Sequence, residues 1–200
     1  MTSQDASRGR DLILASTSPH RRELLERLGV PFRCQAPRVD EESWKADVEE
    51  PRALAEGLAK AKALSLFDAE PEATLIGCDQ LVTFEGRIFG KPASVEGAVE
   101  QLSALAGRSH ALIPALAVWH DGRTFQHTDL TTLRMRSLDR AAIERYVAAD
   151  RPIDCAGSYR LEERGITLFE SIDSEDQSAI TGLPLIALTT ILRQIGFVIP

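Results

Sequence analysis

The sequence predicts an α/β protein with a mixed, twisted sheet flanked by helices. Strand-like and helix-like segments alternate in the early part of the chain, which favours parallel pairing there. Apolar runs around Glu85-Gly86 and Asp121-Gly122 read as hairpins, so the sheet is not purely parallel. No low-complexity linker or internal repeat divides the 200 residues, which suggests one folding unit with two lobes around a cleft.

Each element follows from local chemistry. Residues 1–10 are polar and read as a disordered leader, ahead of a single domain over 11–200. Leu12 to Ala15 is a short buried strand. Leu24, Leu25 and Leu28 share one face of a helix from His20 to Leu28, and Gly29 suits its stop. Phe32 to Ala36 follows as a second strand, and the acidic residues 37–50 read as a loop. Pro51 opens a helix to about Phe67. Thr74 to Val82 is the most strand-like segment, and Ile88 and Phe89 return as a hairpin arm.

Ser94 caps a helix that ends at Gly107. His110–Trp119 and Thr124–Met135 are the arms of the Asp-Gly hairpin. Ser137 or Asp139 caps a helix through Val147. An irregular segment around Cys155–Ser158, a strand at Ile166–Phe169, the polar loop SIDSEDQSAIT and a helix over Leu185–Ile195 complete the chain.

Composition narrows the function. A hydrophobic fraction of 44% with 26% charged residues is that of a soluble globular protein. The net charge of −7 argues against a nucleic-acid polymer as partner, which wants a basic surface. The three cysteines, Cys34, Cys78 and Cys155, form no CxxC pair and read as small buried hydrophobes in a reducing compartment. The polar start lacks a signal-peptide core, and no apolar run reaches the roughly 18 residues of a membrane span. The expected location is therefore cytoplasmic, with no membrane partner.

Several stretches carry chemistry. In LASTSPHRREL, the hydroxyls of Ser16, Thr17 and Ser18 precede His20, Arg21 and Arg22 at a helix N-terminus. Free N–H groups, the helix dipole and forked guanidinium groups all favour an anion, most naturally phosphate. An N-cap serine followed by a solvated basic turn fits the same residues, though cations at that end of a helix are unfavourable without an anion. VDEE at Val39–Glu42 offers hard oxygen ligands suited to Mg²⁺ or Mn²⁺, yet adjacent loop carboxylates are commonly just solvated. Asp79 in GCDQ interrupts an apolar strand, where a carboxylate is rarely buried without a partner. Lys62 and Lys91 (the latter in GKP) are cations able to meet phosphate, though each alone reads more readily as a surface residue. GSYRLEERG and TGLP look like loops of fixed shape. His110, His120 and His127 lack metal-ligand spacing.

In order, LASTSPHRRELL, VDEE, Lys62 in AKAKAL, GCDQ, GKP, LAGRSH, CAGSY and TGLP resemble the Maf-like nucleotide pyrophosphatases from Leu12 to about Gly196. Gln80, CAGS and ITLFE look like the branch that hydrolyses 7-methyl-GTP. The resemblance implies an elongated, two-lobed, Maf/ITPase-like fold with a central cleft. It implies substrate binding by Ser16, Ser18, Arg21 and Arg22, catalysis by Asp79, Glu41, Lys62 and Lys91, and specificity at His20, Gln80 and Glu162. Glu41 and Asp79 would hold a divalent metal, Mg²⁺ or Mn²⁺. Two positions depart from the family: His20 stands where Arg or Trp is usual, and Pro114-Ala115 where Thr-Gly is usual. A proline in a strand suggests an edge or a bulge.

The expected activity is hydrolysis of a nucleoside triphosphate between the α- and β-phosphates, giving monophosphate and pyrophosphate, as house-cleaning of modified nucleotides. A small nucleotide is then the partner, and a homodimer is left open. Rivals are a nucleotide-binding regulator of cell division or septum formation with little catalysis, and a phosphate-ester hydrolase releasing orthophosphate.

Overall fold

The computed structural model describes residues 10–199. The expected leader over 1–10 therefore lies, but for Arg10, outside the described residues. The strands are β1 (Leu12–Leu14), β2 (Arg33–Cys34), β3 (Thr74–Phe84), β4 (Arg87–Phe89), β5 (Ser109–His120), β6 (Arg123–Thr128), β7 (Thr131–Met135) and β8 (Phe169–Asp173). The helices are α1 (Pro19–Glu26), α2 (Glu41–Asp47), α3 (Pro51–Leu64), α4 (Val95–Leu105), α5 (Arg140–Asp150), α6 (Gln177–Ile180) and α7 (Leu185–Gln194). The strand order is β2-β1-β3-β5-β7-β8, with β4 on β3 and β6 on β5. Pairing is parallel for β1 with β2 and β3, and antiparallel for the hairpins and for β5-β7-β8. The predicted mixed α/β sheet with flanking helices is the observed one.

The chain folds as two compact units. The first comprises residues 10–80, 114–129 and 176–199. Here β1 is buried on both faces, as a parallel strand between helices must be. Leu12 and Leu14 pack with Leu24 and Leu25 of α1 and with Leu188, Ile191 and Leu192 of α7. Ile13 and Ala15 face the other way, onto Ala63 and Leu66. Each fully buried leucine adds about 2 kcal/mol of hydrophobic stabilisation.

The second unit comprises residues 81–113 and 130–175. Ser94 caps α4 and Asp139 caps α5, each side-chain oxygen accepting from a first-turn N–H. His110, Tyr159 and Phe169 form an aromatic cluster with centroids 5.0–5.8 Å apart.

The turns follow their dipeptides. Glu85-Gly86 and Asp121-Gly122 both adopt positive φ at the two central positions, matching the twist of tight hairpins. Elsewhere the structure departs from expectation. Residues 37–50 are not all loop: Asp40 accepts from the N–H groups of Glu42 and Ser43 and so starts α2. The expected single arm Thr124–Met135 is two strands. β6 pairs with Ala115–His120 and β7 with Ser109–Leu112. Pro114 lies at the break, its carbonyl accepting from Asp129 N at 3.0 Å. A residue without an N–H is thus placed where β5 changes partner, and β5 is no edge strand.

The strand expected at Ile166–Phe169 starts at Phe169, because Arg164–Leu168 winds into a 3-10 segment. The loop SIDSEDQSAIT likewise contains the end of β8 and all of α6. Cys78 is buried as expected, but Cys34 is exposed and Cys155 half-buried.

Candidate active site

The first unit gathers three charged side chains where its apolar core ends. Lys62 Nζ lies 2.6 Å from Asp79 Oδ1 and 2.8 Å from Glu41 Oε1. The Lys62 and Asp79 side chains are 8% and 9% exposed, whereas that of Glu41 is 44% exposed. The trio is therefore closed on one side and open on the other. Burial pushes the Asp79 carboxyl above its ordinary range, and neighbouring Lys62 and Arg21 pull it back.

Two glycines let the trio meet. Gly77 lies two residues before Asp79 and so shares its face of β3. A Cβ at Gly77 would stand 2.1 Å from the Ala59 carbonyl oxygen and 2.5 Å from Ala63 N. Only a bare backbone allows α3 so close, and α3 carries Lys62. At Gly57, a Cβ would stand 2.3 Å from the Trp44 ring, so α2 seats its tryptophan there and delivers Glu41.

The acidic run divides its tasks. Asp40 caps α2, Glu41 meets Lys62, and Glu42 pairs with Lys45 at 2.6 Å. The sequence offered three equivalent carboxylates; the start of a short helix tells them apart.

The serine-rich turn joins β1 to α1. Ser16, 5% exposed, accepts at Oγ from Ser18 N at 3.2 Å, and Ser18 caps α1 by accepting from Arg21 N at 3.4 Å. His20 lies half-buried in the first turn of α1, and Arg22 is exposed beside Glu26 at 3.1 Å. No acidic residue occupies that first turn, so its positive dipole end stays uncompensated by the helix's own carboxylates.

Arg21 turns inward. Its Nε donates to the Gly182 carbonyl at 3.0 Å and its Nη1 to the Cys78 carbonyl at 2.9 Å. Gln80 donates through Nε2 to the Ile180 carbonyl at 3.1 Å. Burial pushes the Cys78 thiol up to about 11, which makes it packing rather than a nucleophile.

Lys91 and Glu162 belong to the second unit. Lys91 is exposed after β4, on a loop whose Gly90 carbonyl accepts from Gln101 Nε2 at 3.1 Å. Glu162 is exposed in the turn ahead of the 3-10 segment. The structure thus brings Glu41, Lys62 and Asp79 into direct contact and places Arg21 and Gln80 on the turn at 180–182. Sequence reasoning missed Gly57, Gly77 and Gly182. Gly77 had a signal, a glycine inside an apolar strand, which marks a close backbone approach, and Gly182 lies in TGLP, which reads as a loop of fixed shape.

A buried lysine between two carboxylates, in the same unit as a helix N-terminus lined with hydroxyls and arginine, is an arrangement suited to phosphate chemistry on an α/β fold. Residues 11–195 match the family described as Maf-like protein, and the chain belongs to that family. A 7-methyl-GTP pyrophosphatase of Bdellovibrio bacteriovorus is 52% identical over 184 residues, spanning 92% of this chain and 96% of the relative. Proteins of the same description from Xanthomonas campestris pv. campestris and Pseudomonas savastanoi pv. phaseolicola are 45% and 42% identical, each over 94% of this chain and 98% of the relative.

Proposed function

We propose that the chain hydrolyses nucleoside triphosphates between the α- and β-phosphates, releasing a nucleoside monophosphate and pyrophosphate, with 7-methyl-GTP preferred. The observation that carries this reading is the contact of Lys62 with both Asp79 and Glu41 in a chain similar over nearly its whole length to 7-methyl-GTP pyrophosphatases.

Asp79 is the proton acceptor. As water attacks the α-phosphorus, its proton passes to the Asp79 carboxylate, the bond to the bridging oxygen breaks, and pyrophosphate departs with the electron pair. A carboxylate raised by burial is a better base than an ordinary aspartate. Lys62 holds that carboxylate in place and offers its ammonium to the charge that develops on the phosphates. Ser16, Ser18, Arg22 and the His20 N–H in the first turn of α1 bind phosphate oxygens, with Lys91 assigned to the departing pyrophosphate. Gln80, His20 and Glu162 are the residues that select the base.

A divalent cation suits the donor set. Glu41 and Asp79 both lie against Lys62, which brings their carboxylates close together, and each keeps oxygen lone pairs that Lys62 Nζ does not use. Among the described residues no group of three or more His, Cys, Asp or Glu is assembled for a metal. Two carboxylates completed by water and phosphate oxygens match Mg²⁺ or Mn²⁺, and Glu41 and Asp79 would hold it. Such an ion supplies neutralisation of phosphate charge and a lowered pKa for its water.

The regulatory alternative is not favoured. Pro114-Ala115, where the chain departs from the family pattern, lies where β5 changes partner and removes no group from the trio. Among the described residues no helix is long and apolar enough to cross a membrane; a cytoplasmic location remains part of the proposal. The test is a panel of normal and modified triphosphates with product identification. Pyrophosphate from 7-methyl-GTP supports the reading; orthophosphate alone, or binding without turnover, overturns it.

A further inference from the structure

Arg21 and the turn at 180–184 hold one another, and between them they leave the Gln80 amide one orientation. The guanidinium links the Gly182 carbonyl at 3.0 Å to the Cys78 carbonyl at 2.9 Å, and Cys78 directly precedes Asp79 in β3. The same turn presents the Ile180 carbonyl to Gln80 Nε2 at 3.1 Å. A backbone carbonyl only accepts, so the amide nitrogen must face it, and Oε1 is the end that Gln80 has left.

Gly182 makes this fit. It is buried at φ +108°, and a Cβ there would stand 2.9 Å from Gln80 Oε1 and 3.3 Å from Arg21 Nε. The turn is pinned from behind by Asp176, 6% exposed. Its carboxylate accepts from Ser178 N at 2.8 Å, from Ser178 Oγ at 2.5 Å and from Ile186 N at 2.9 Å. Ser178 Oγ in turn accepts from Leu185 N at 2.8 Å. Neither Arg21 nor the turn is free to drift.

We infer that Arg21 and Gly182 are positioning residues for base recognition. They fix Gln80 with an acceptor presented, so the residue selects a base edge that turns a donor toward it, as the N1–H and 2-amino group of a guanine do. A base offering an acceptor there meets oxygen against oxygen. The inference rests on the proposed triphosphate hydrolysis with Gln80 at the base. It also divides the two arginines: Arg21 acts through Gln80, while exposed Arg22 is the one for phosphate.

The test uses Gly182→Ala, which adds a Cβ against Gln80 and removes no charge, and Arg21→Lys, which keeps the charge and loses the two-carbonyl link. Each is measured in two ways: the ratio of kcat/KM for 7-methyl-GTP to that for ATP, and the Gln80 side-chain amide resonance in ¹H–¹⁵N spectra, assigned by its loss in Gln80→Met. In both variants the ratio falls about tenfold, the scale of one hydrogen bond, and the amide moves to a solvent-exposed shift. Calorimetric affinity of Gly182→Ala for pyrophosphate stays at the wild-type value. A folded variant that keeps both the ratio and the resonance overturns the inference, as does a fall in pyrophosphate affinity with the ratio intact. If Gly182→Ala does not fold, Arg21→Lys gives the same two readouts. A wild type that cleaves no triphosphate refutes the proposed function instead, and the amide resonance still decides whether the clamp exists.

Discussion

Lys62 donates to Asp79 across 2.6 Å, from a helix to a strand, with both side chains almost wholly enclosed. A charge pair removed from water stands only while both partners are present. Truncating one leaves an uncompensated buried charge, at a cost of about 3–5 kcal/mol. Lys62→Met is therefore expected to lower unfolding stability by that order in urea titrations, and to lose turnover as well. A variant as stable as wild type would show that the pair is not buried in solution.

The approach of α3 to β3 rests on Gly77. In Gly77→Ala the methyl group meets the backbone at Ala59 and Ala63, so the helix must move and take Lys62 with it. Stability is expected to fall by about 1–3 kcal/mol, with kcat reduced more than KM is raised. Thermal unfolding and steady-state kinetics on one preparation check both.

His110 ties stability to pH. Burial holds its pKa down at about 4, against 6.5 for an exposed histidine. The unfolded chain takes up a proton between these values and the folded chain does not. Stability is therefore complete above about pH 6.5 and declines as pH falls toward 4, by about 3 kcal/mol for this group. Denaturant midpoints across that window check the slope, and His110→Phe is expected to flatten it.

The acid limb of the rate is expected to report Asp79. Its carboxyl is raised by burial, so activity falls with decreasing pH through a pKa above the ordinary aspartate range. A pH profile of kcat/KM, which reports the free enzyme, whose acid limb follows an ordinary exposed aspartate argues against this assignment.

Much of this was legible in the sequence, for reasons that can be named. β3 and α3 declared themselves through continuous apolar patterning, and both hairpin turns through dipeptides that tolerate positive φ. Asp79 stood out because a carboxylate inside an apolar strand demands a partner. The partner itself was not readable from its own surroundings: Lys62 sits in AKAKAL beside Lys60, and only the packing of α3 buries one and exposes the other. α2 was hidden because an acidic, polar stretch carries no apolar periodicity; its cap and Trp44 make the helix. The inward turn of Arg21 depends on carbonyls at Cys78 and Gly182, and backbone acceptors leave no mark in a sequence. The strand placed at Ile166–Phe169 was misread because a short apolar run fits a 3-10 segment equally well.

The central claim is that Asp79, held by Lys62, takes the proton when a triphosphate is cut between its α- and β-phosphates. Asp79→Asn keeps the size of the side chain and removes the base. With 7-methyl-GTP and Mg²⁺ or Mn²⁺, the wild type is expected to yield the monophosphate and pyrophosphate in equal amounts. The folded Asp79→Asn variant is expected to lose at least about a hundredfold in kcat. Pyrophosphate release by that variant at the wild-type rate would contradict the account.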